Sequence, residues 1–139
     1  MFKKIFKKNE KNIIDKNVLV AALLIHAAKI DENYTNVEKE IIKKALMNLS
    51  NLSSLESEKI LKDAEEKESE SNQIIEFTRE IKKNSMEFRL KIIEILWRIV
   101  YSDGTKDNFE SNLIRRVCGL LYISDKDSGV IKLKVKNMK

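Results

Sequence analysis

Apolar positions recur along this chain at helical spacing in seven separate stretches. Between Val18 and Ala28 they close up until the segment is apolar nearly all round, which predicts a helix from about residue 13 to residue 30 enclosed by other helices. A second helix is expected after Thr35, with Val37, Ile41, Ala45, Leu46 and Leu49 on one face. A third, over about 54–66, places Leu55, Ile60, Leu61 and Ala64 inward, and a fourth, over about 72–83, does the same with Ile74, Ile75, Phe77 and Ile81. Between them residues 65–72 are the most polar part of the chain and read either as a link between two halves or as an exposed helix end. The fifth helix, about 85–101, carries Phe88, Ile92, Ile95, Leu96, Ile99 and Val100. The sixth starts after Asp107 and is expected to bury Phe109, Leu113, Ile114, Val117 and Leu121. In the last segment, about 126–136, the spacing of Val130, Ile131, Leu133 and Val135 fits a helix and a strand alike.

Part of this pattern is used twice. Residues 23–31, then Thr35, Val37, Glu38, Ile41 and Ile42, are matched 72 residues later by 95–103, then Asp107, Phe109, Glu110, Leu113 and Ile114. In each copy an apolar run ends at an aspartate, Asp31 or Asp103, a short polar loop follows, and a glutamate stands seven residues beyond that aspartate. A period of 72 is too long for a solenoid, whose repeats run at about 20–50 residues, so the expected product is one domain with approximate two-fold internal symmetry. The organisation read from this is a basic tail over residues 1–12 and a domain over 13–139, with repeat one at about 13–66 and repeat two at about 85–136.

Composition removes the β alternatives. Three glycines and no proline in 139 residues leave little for tight hairpins, while Leu, Ile, Lys and Glu dominate. The expected fold class is therefore all-α, about seven helices in one compact domain with an internally duplicated helix-loop-helix unit and a pseudo-two-fold axis. A chain of this length buries a sizeable core. The net charge of +5 suggests nucleic acid until it is located: residues 1–17 and 126–139 each carry +4, leaving −3 for residues 18–125. With its basic excess in the tails and a mildly acidic body, the chain is not expected to bind nucleic acid. Cys118, the single cysteine, sits in an apolar helical pattern as a small hydrophobe, and a reducing cytoplasm fits. The lysines and apolar run before Ala28 have the outline of a secretory signal, but Glu10 and Asp15 interrupt the basic region and an equivalent run recurs at 92–100. A core helix explains both runs, and each is shorter than the roughly 20 apolar residues that span a bilayer.

The loops hold what chemistry there is. Thr35 with Glu38, and Asp107 with Glu110, read as capping boxes, which accounts for both glutamates structurally. Asp31 and Asp103 stand just past a helix end, where the negative end of the macrodipole disfavours an anion by about 0.3–1 kcal/mol. Gly104 after Asp103 suits a turn that aims amides at the carboxylate; repeat one has Glu32 there. Brought together by the symmetry, Asp31, Glu38, Asp103 and Glu110 would form an acidic cluster of oxygen ligands suited to Ca²⁺, Mg²⁺ or Mn²⁺, with caps alone as the competing account. An EF-hand is excluded, because the twelfth position from either aspartate is an isoleucine, Ile42 or Ile114. His26 lies in the apolar run of the first helix without a nucleophile motif near it, and Trp97 reads as packing. No catalytic residues are assigned.

The two Asp-(six residues)-Glu motifs between apolar helices, with Phe77-Thr78-Arg79-Glu80-Ile81 between them, resemble the TerB-like family of tellurite-resistance and stress-response domains. The resemblance covers roughly residues 18–124. The family's loop reads Ala-Asp-Gly; repeat two has Ser102-Asp103-Gly104, whereas repeat one departs from it as Ile30-Asp31-Glu32. The resemblance implies a cytoplasmic, non-enzymatic helical interaction module with an acidic, divalent-cation-binding surface, acting in tellurite and oxidative stress through a membrane-associated protein partner at the inner face of the membrane. Related domains stand beside J-domains in membrane-anchored co-chaperones, which implies a docking role as the alternative. Residues 2–8 add a third expectation, contact with anionic lipid through Phe2, Ile5 and Phe6 among four lysines. A small metal-dependent hydrolase using the same carboxylates is the remaining alternative.

Overall fold

The computed structural model describes residues 16–29, 35–70, 74–101 and 108–138, with the backbone alone at 108–111. Seven helices and no strand occur among the described residues: α1 over 16–29, α2 Asn36–Ser50, α3 Ser54–Glu70, α4 Ile74–Ile81, α5 Met86–Tyr101, α6 Asn108–Leu120 and α7 Asp125–Asn137. The all-α class expected from composition is the observed one, and the last segment, open between helix and strand, is helical.

Helix α1 is enclosed, as its all-round apolar run dictates. Every residue from Val18 to Ile25 is buried, and its polar residues reach four neighbours. Asn17 accepts from Ser50 Oγ of α2 at 2.6 Å. Lys16 lies over the Phe88 ring of α5, 4.2 Å from its centroid. His26 meets Glu68 of α3 and the edge of the Phe77 ring of α4. Helix α5 is the second core helix, burying Ile92, Ile93, Leu96 and Trp97 among others and packing on α2, α6 and α7. Its first turn is fixed by Arg89, which donates to the carbonyls of Asn84 (3.1 Å) and Leu121 (2.6 Å).

The surrounding helices turn less of their apolar surface inward than their spacing suggests. In α2 the buried stripe is Glu38, Ile42 and Leu46, while Ile41, Ala45 and Leu49 are half-buried and Val37 is exposed. Leu55 of α3, expected in the core, is 78 % exposed, because Ser57, Ile60, Leu61, Ala64 and Glu68 form the inward stripe one notch round the helix. Ile75 of α4 and Val130 and Leu133 of α7 likewise face outward. Burial of Phe109 concerns a side chain outside the described set. Residues 65–70, read as a link or a helix end, continue α3.

One corner of the fold occurs twice. Helix α2 ends at Asn51 in the left-handed region (φ 52°), with Leu52 N–H donating to Met47 O at 3.2 Å. Helix α6 ends in the same way at Tyr122 (φ 57°), with Ile123 N–H donating to Cys118 O at 2.8 Å. Both are Schellman turns, which satisfy orphan carbonyls at a helix end. In each, the next residue but one caps the following helix: Ser53 Oγ accepts from Glu56 N–H, and Ser124 Oγ from Asp127 N–H, both at 3.1 Å. Helices α2 and α6 also begin 72 residues apart, at Asn36 and Asn108.

Candidate functional site

Of the four carboxylates singled out in the sequence, one has a described side chain. Asp31 and Asp103 lie outside the described residues, and Glu110 falls in α6 where only the backbone is described. Glu38 is 4 % exposed and closes the capping box of α2, as its spacing from Thr35 predicts. Its carboxylate accepts from the Thr35 N–H at 3.1 Å and from the Thr35 hydroxyl. Burial costs a carboxylate its hydration, and these charge-assisted bonds at a helix N-terminus offset that cost. Among the described residues no group of three or more His, Cys, Asp or Glu is arranged to hold a metal ion.

The charged residue that sequence reasoning missed is Glu68. It sits in the last turn of α3, is 4 % exposed, and accepts from two residues near the end of α1. Lys29 Nζ donates to one oxygen at 2.7 Å, and His26 Nδ1 lies 3.3 Å from the other. A cation in the last turn of α1 also complements the negative end of its macrodipole. The signal was present as spacing: Ser57, Ile60, Leu61, Ala64 and Glu68 form one helical stripe, so Glu68 continues the inward face of α3. A second, more exposed link lies close by in sequence, Lys39 to Glu65 at 3.7 Å. Ion pairs thus join α3 to the last turns of α1 and to the first turn of α2. His26 is committed to a carboxylate and an aromatic edge, which is the setting of a structural histidine.

Between α5 and α7, Trp97 Nε1–H donates to Ser128 Oγ at 3.2 Å, and the indole stacks on Tyr101, 6.0 Å between centroids. Cys118 is 1 % exposed. Its burial pushes the thiol above the ordinary value, against a hydrogen bond with Ser128 that acts the other way. A buried, protonated thiol is a poor nucleophile and a poor soft-metal ligand.

The geometry defines an all-helical domain with two enclosed helices, whose described polar contacts are caps, corner bonds and interhelix ion pairs. The chain belongs to the TerB family: the family model described as tellurite resistance protein TerB matches residues 17–133. Comparison with curated proteins and with solved structures returns no match. Among the described residues no helix is long and apolar enough to cross a membrane.

Proposed function

We propose that the chain is a non-enzymatic helical interaction module that acts in tellurite and oxidative stress through a membrane-associated protein partner. The observation that carries this reading is the match to the TerB family across residues 17–133. In this proposal the two loops of an internally duplicated unit, with Asp31, Glu38, Asp103 and Glu110, make an acidic, divalent-cation-responsive surface. Support comes from the repetition of the loop in the sequence and from the twin corners that follow α2 and α6. The lysines and apolar residues of segment 2–8 support a contact with anionic lipid beside the protein partner.

The test is growth of a tellurite-sensitive host carrying this chain, in the presence of tellurite and separately of peroxide, together with capture of partners from native membranes. Improved growth and a membrane protein retained by the wild-type chain are expected. Growth equal to the empty host under both stresses, with nothing retained, would sink the proposal. Sedimentation with anionic and neutral vesicles, with and without residues 2–8, tests the lipid contact.

A further inference from the structure

Helix α2 carries more apolar surface than the core takes up. Beside its buried stripe runs a second one, Ile41, Ala45 and Leu49, left half-buried. With Ile95 of α5 and with Val135 and Met138 at the end of α7, this stripe floors an open groove of about 450 Å³. Small Ala45 between two larger residues makes a notch in that floor. At about 1.5 Å per residue the stripe is about 12 Å long, two turns of a helix.

The walls are cationic. Lys44 and Asn48 stand on the α2 side, and Lys91, Glu94 and Arg98 on the α5 side. The one carboxylate is already compensated, since Glu94 meets Lys134 at 2.8 Å and Arg98 at 3.9 Å. Lys91 faces Glu87 at 3.7 Å with both side chains more than half exposed, an arrangement worth little in water. Lys44 is in no ion pair among the described residues.

The distribution of these charges selects the occupant. A single-headed amphiphile needs its cations gathered at one end of the trough. Here they stand on both walls, and Lys91 and Arg98 are two turns apart on α5, about 10 Å along the axis. An elongated ligand with an apolar stripe and negative charge along both flanks matches this arrangement. Resting on the reading of the chain as an interaction module, we propose that the groove docks an amphipathic helix of a partner protein, with apolar anchors at i, i+4 and i+7 and Asp or Glu on both sides. The chain's own segment 2–8 has the wrong charge, with four lysines among its apolar residues. Among the described residues a second copy offers no such helix either, because the acidic helices α3 and α4 each expose one large apolar residue, Leu55 and Ile75.

Fluorescence anisotropy on the full chain tests this with a synthetic peptide of about 18 residues, long enough to be helical alone. It carries leucines at i, i+4, i+7 and i+11 with glutamates on both flanks, and its controls are a lysine-flanked twin and a scrambled sequence. The glutamate peptide is expected to bind about tenfold or more tighter than either control and to weaken with salt. The double variant Lys44→Glu/Arg98→Glu should lose about tenfold in affinity, and Ala45→Arg, which fills the notch, should abolish binding, with circular dichroism showing both variants folded. Equal binding of the lysine twin, unchanged binding by the double variant, or binding of dodecanoate but not of the peptide would each overturn the proposal. If the wild type and the double variant capture the same membrane partner equally, the groove assignment falls while the interaction module stands. Groove-dependent peptide binding by a chain that captures no membrane partner supports the groove and counts against that partner.

Discussion

The indole N–H of Trp97 donates to the hydroxyl of Ser128 at 3.2 Å, joining α5 to α7 inside the core. Ser128 is itself buried, so the bond is shielded from water. Ser128→Ala leaves a buried indole N–H without its partner, and we expect a loss of about 1–3 kcal/mol. Denaturant unfolding followed by the single tryptophan measures it; a change below about 0.5 kcal/mol, the range of ordinary surface substitutions, would mean the bond contributes nothing net.

Glu68 supplies the second prediction. Glu68→Ala removes the acceptor of both His26 and Lys29 and should cost about 1–3 kcal/mol, because hydrogen bonds to charged groups are the stronger kind. Glu68→Gln keeps an acceptor oxygen and should cost less. Equal losses for the two variants in thermal and denaturant melts would show that packing, and not acceptance, is what Glu68 contributes.

Cys118 should resist thiol reagents in the folded protein at neutral pH and react fully once the chain is unfolded. The raised thiol ionisation also has a consequence for stability. A group held protonated in the folded state contributes its full stabilisation below its unfolded value and loses it as pH rises toward the folded one, so the alkaline limb of the stability profile should be shallower in Cys118→Ala. Rapid labelling of the native protein would place the thiol at the surface.

Glu58 and Lys43 make the pH-sensitive contact on the outer surface, at 2.8 Å. The hydrogen bond with Lys43 lowers the Glu58 carboxyl below its ordinary value, and the same bond raises Lys43. A lowered carboxyl stabilises above its unfolded value and loses that contribution as pH falls through the folded one, so the effect belongs to the acid side. Glu58→Gln should flatten the acid limb of the melting-temperature profile slightly and change little at neutral pH, since exposed pairs are weak.

The proposed cation response is tested by calorimetric titration with Ca²⁺, Mg²⁺ and Mn²⁺. A saturable heat that weakens in Asp103→Asn, with a matching rise in melting temperature for the wild type, is the expected outcome. Glu38→Gln should be mild for folding, since glutamine still serves the box with Thr35. No heat at millimolar ion would leave the four carboxylates as parts of the loops and helix caps.

What could be read in the sequence follows from which features have a local cause. The enclosure of α1 was legible because an all-round apolar run has no other stable setting, and the Thr35–Glu38 box because caps act within one turn. Leu55 and Ile75, expected inward, and Val37, placed on the apolar face of α2, all face outward, since spacing gives the direction of an apolar face but not where its neighbours stop. Leu133 and Val135 differ in burial for this reason: α7 packs on α5 and α6 with one edge only. Glu68 was hidden by its surroundings, a charged stretch in which one member continues an apolar stripe. The inward rotation of α2, which strands Ile41, Ala45 and Leu49 beside the core, depends on where α5 and α7 lie and has no signature in α2 itself.

The enclosure of α1 also bears on how the protein is made. This helix leaves the ribosome before α5, the other core helix, and the segment from Val18 to Ala28 has no polar side to turn toward water in the interval. At about 5–20 residues per second, the chain through Tyr101 is completed several seconds later. For that time the most apolar segment of the nascent protein lacks the other core helix, so slowing elongation downstream of α1 should raise aggregation without any change in the equilibrium stability of the finished domain.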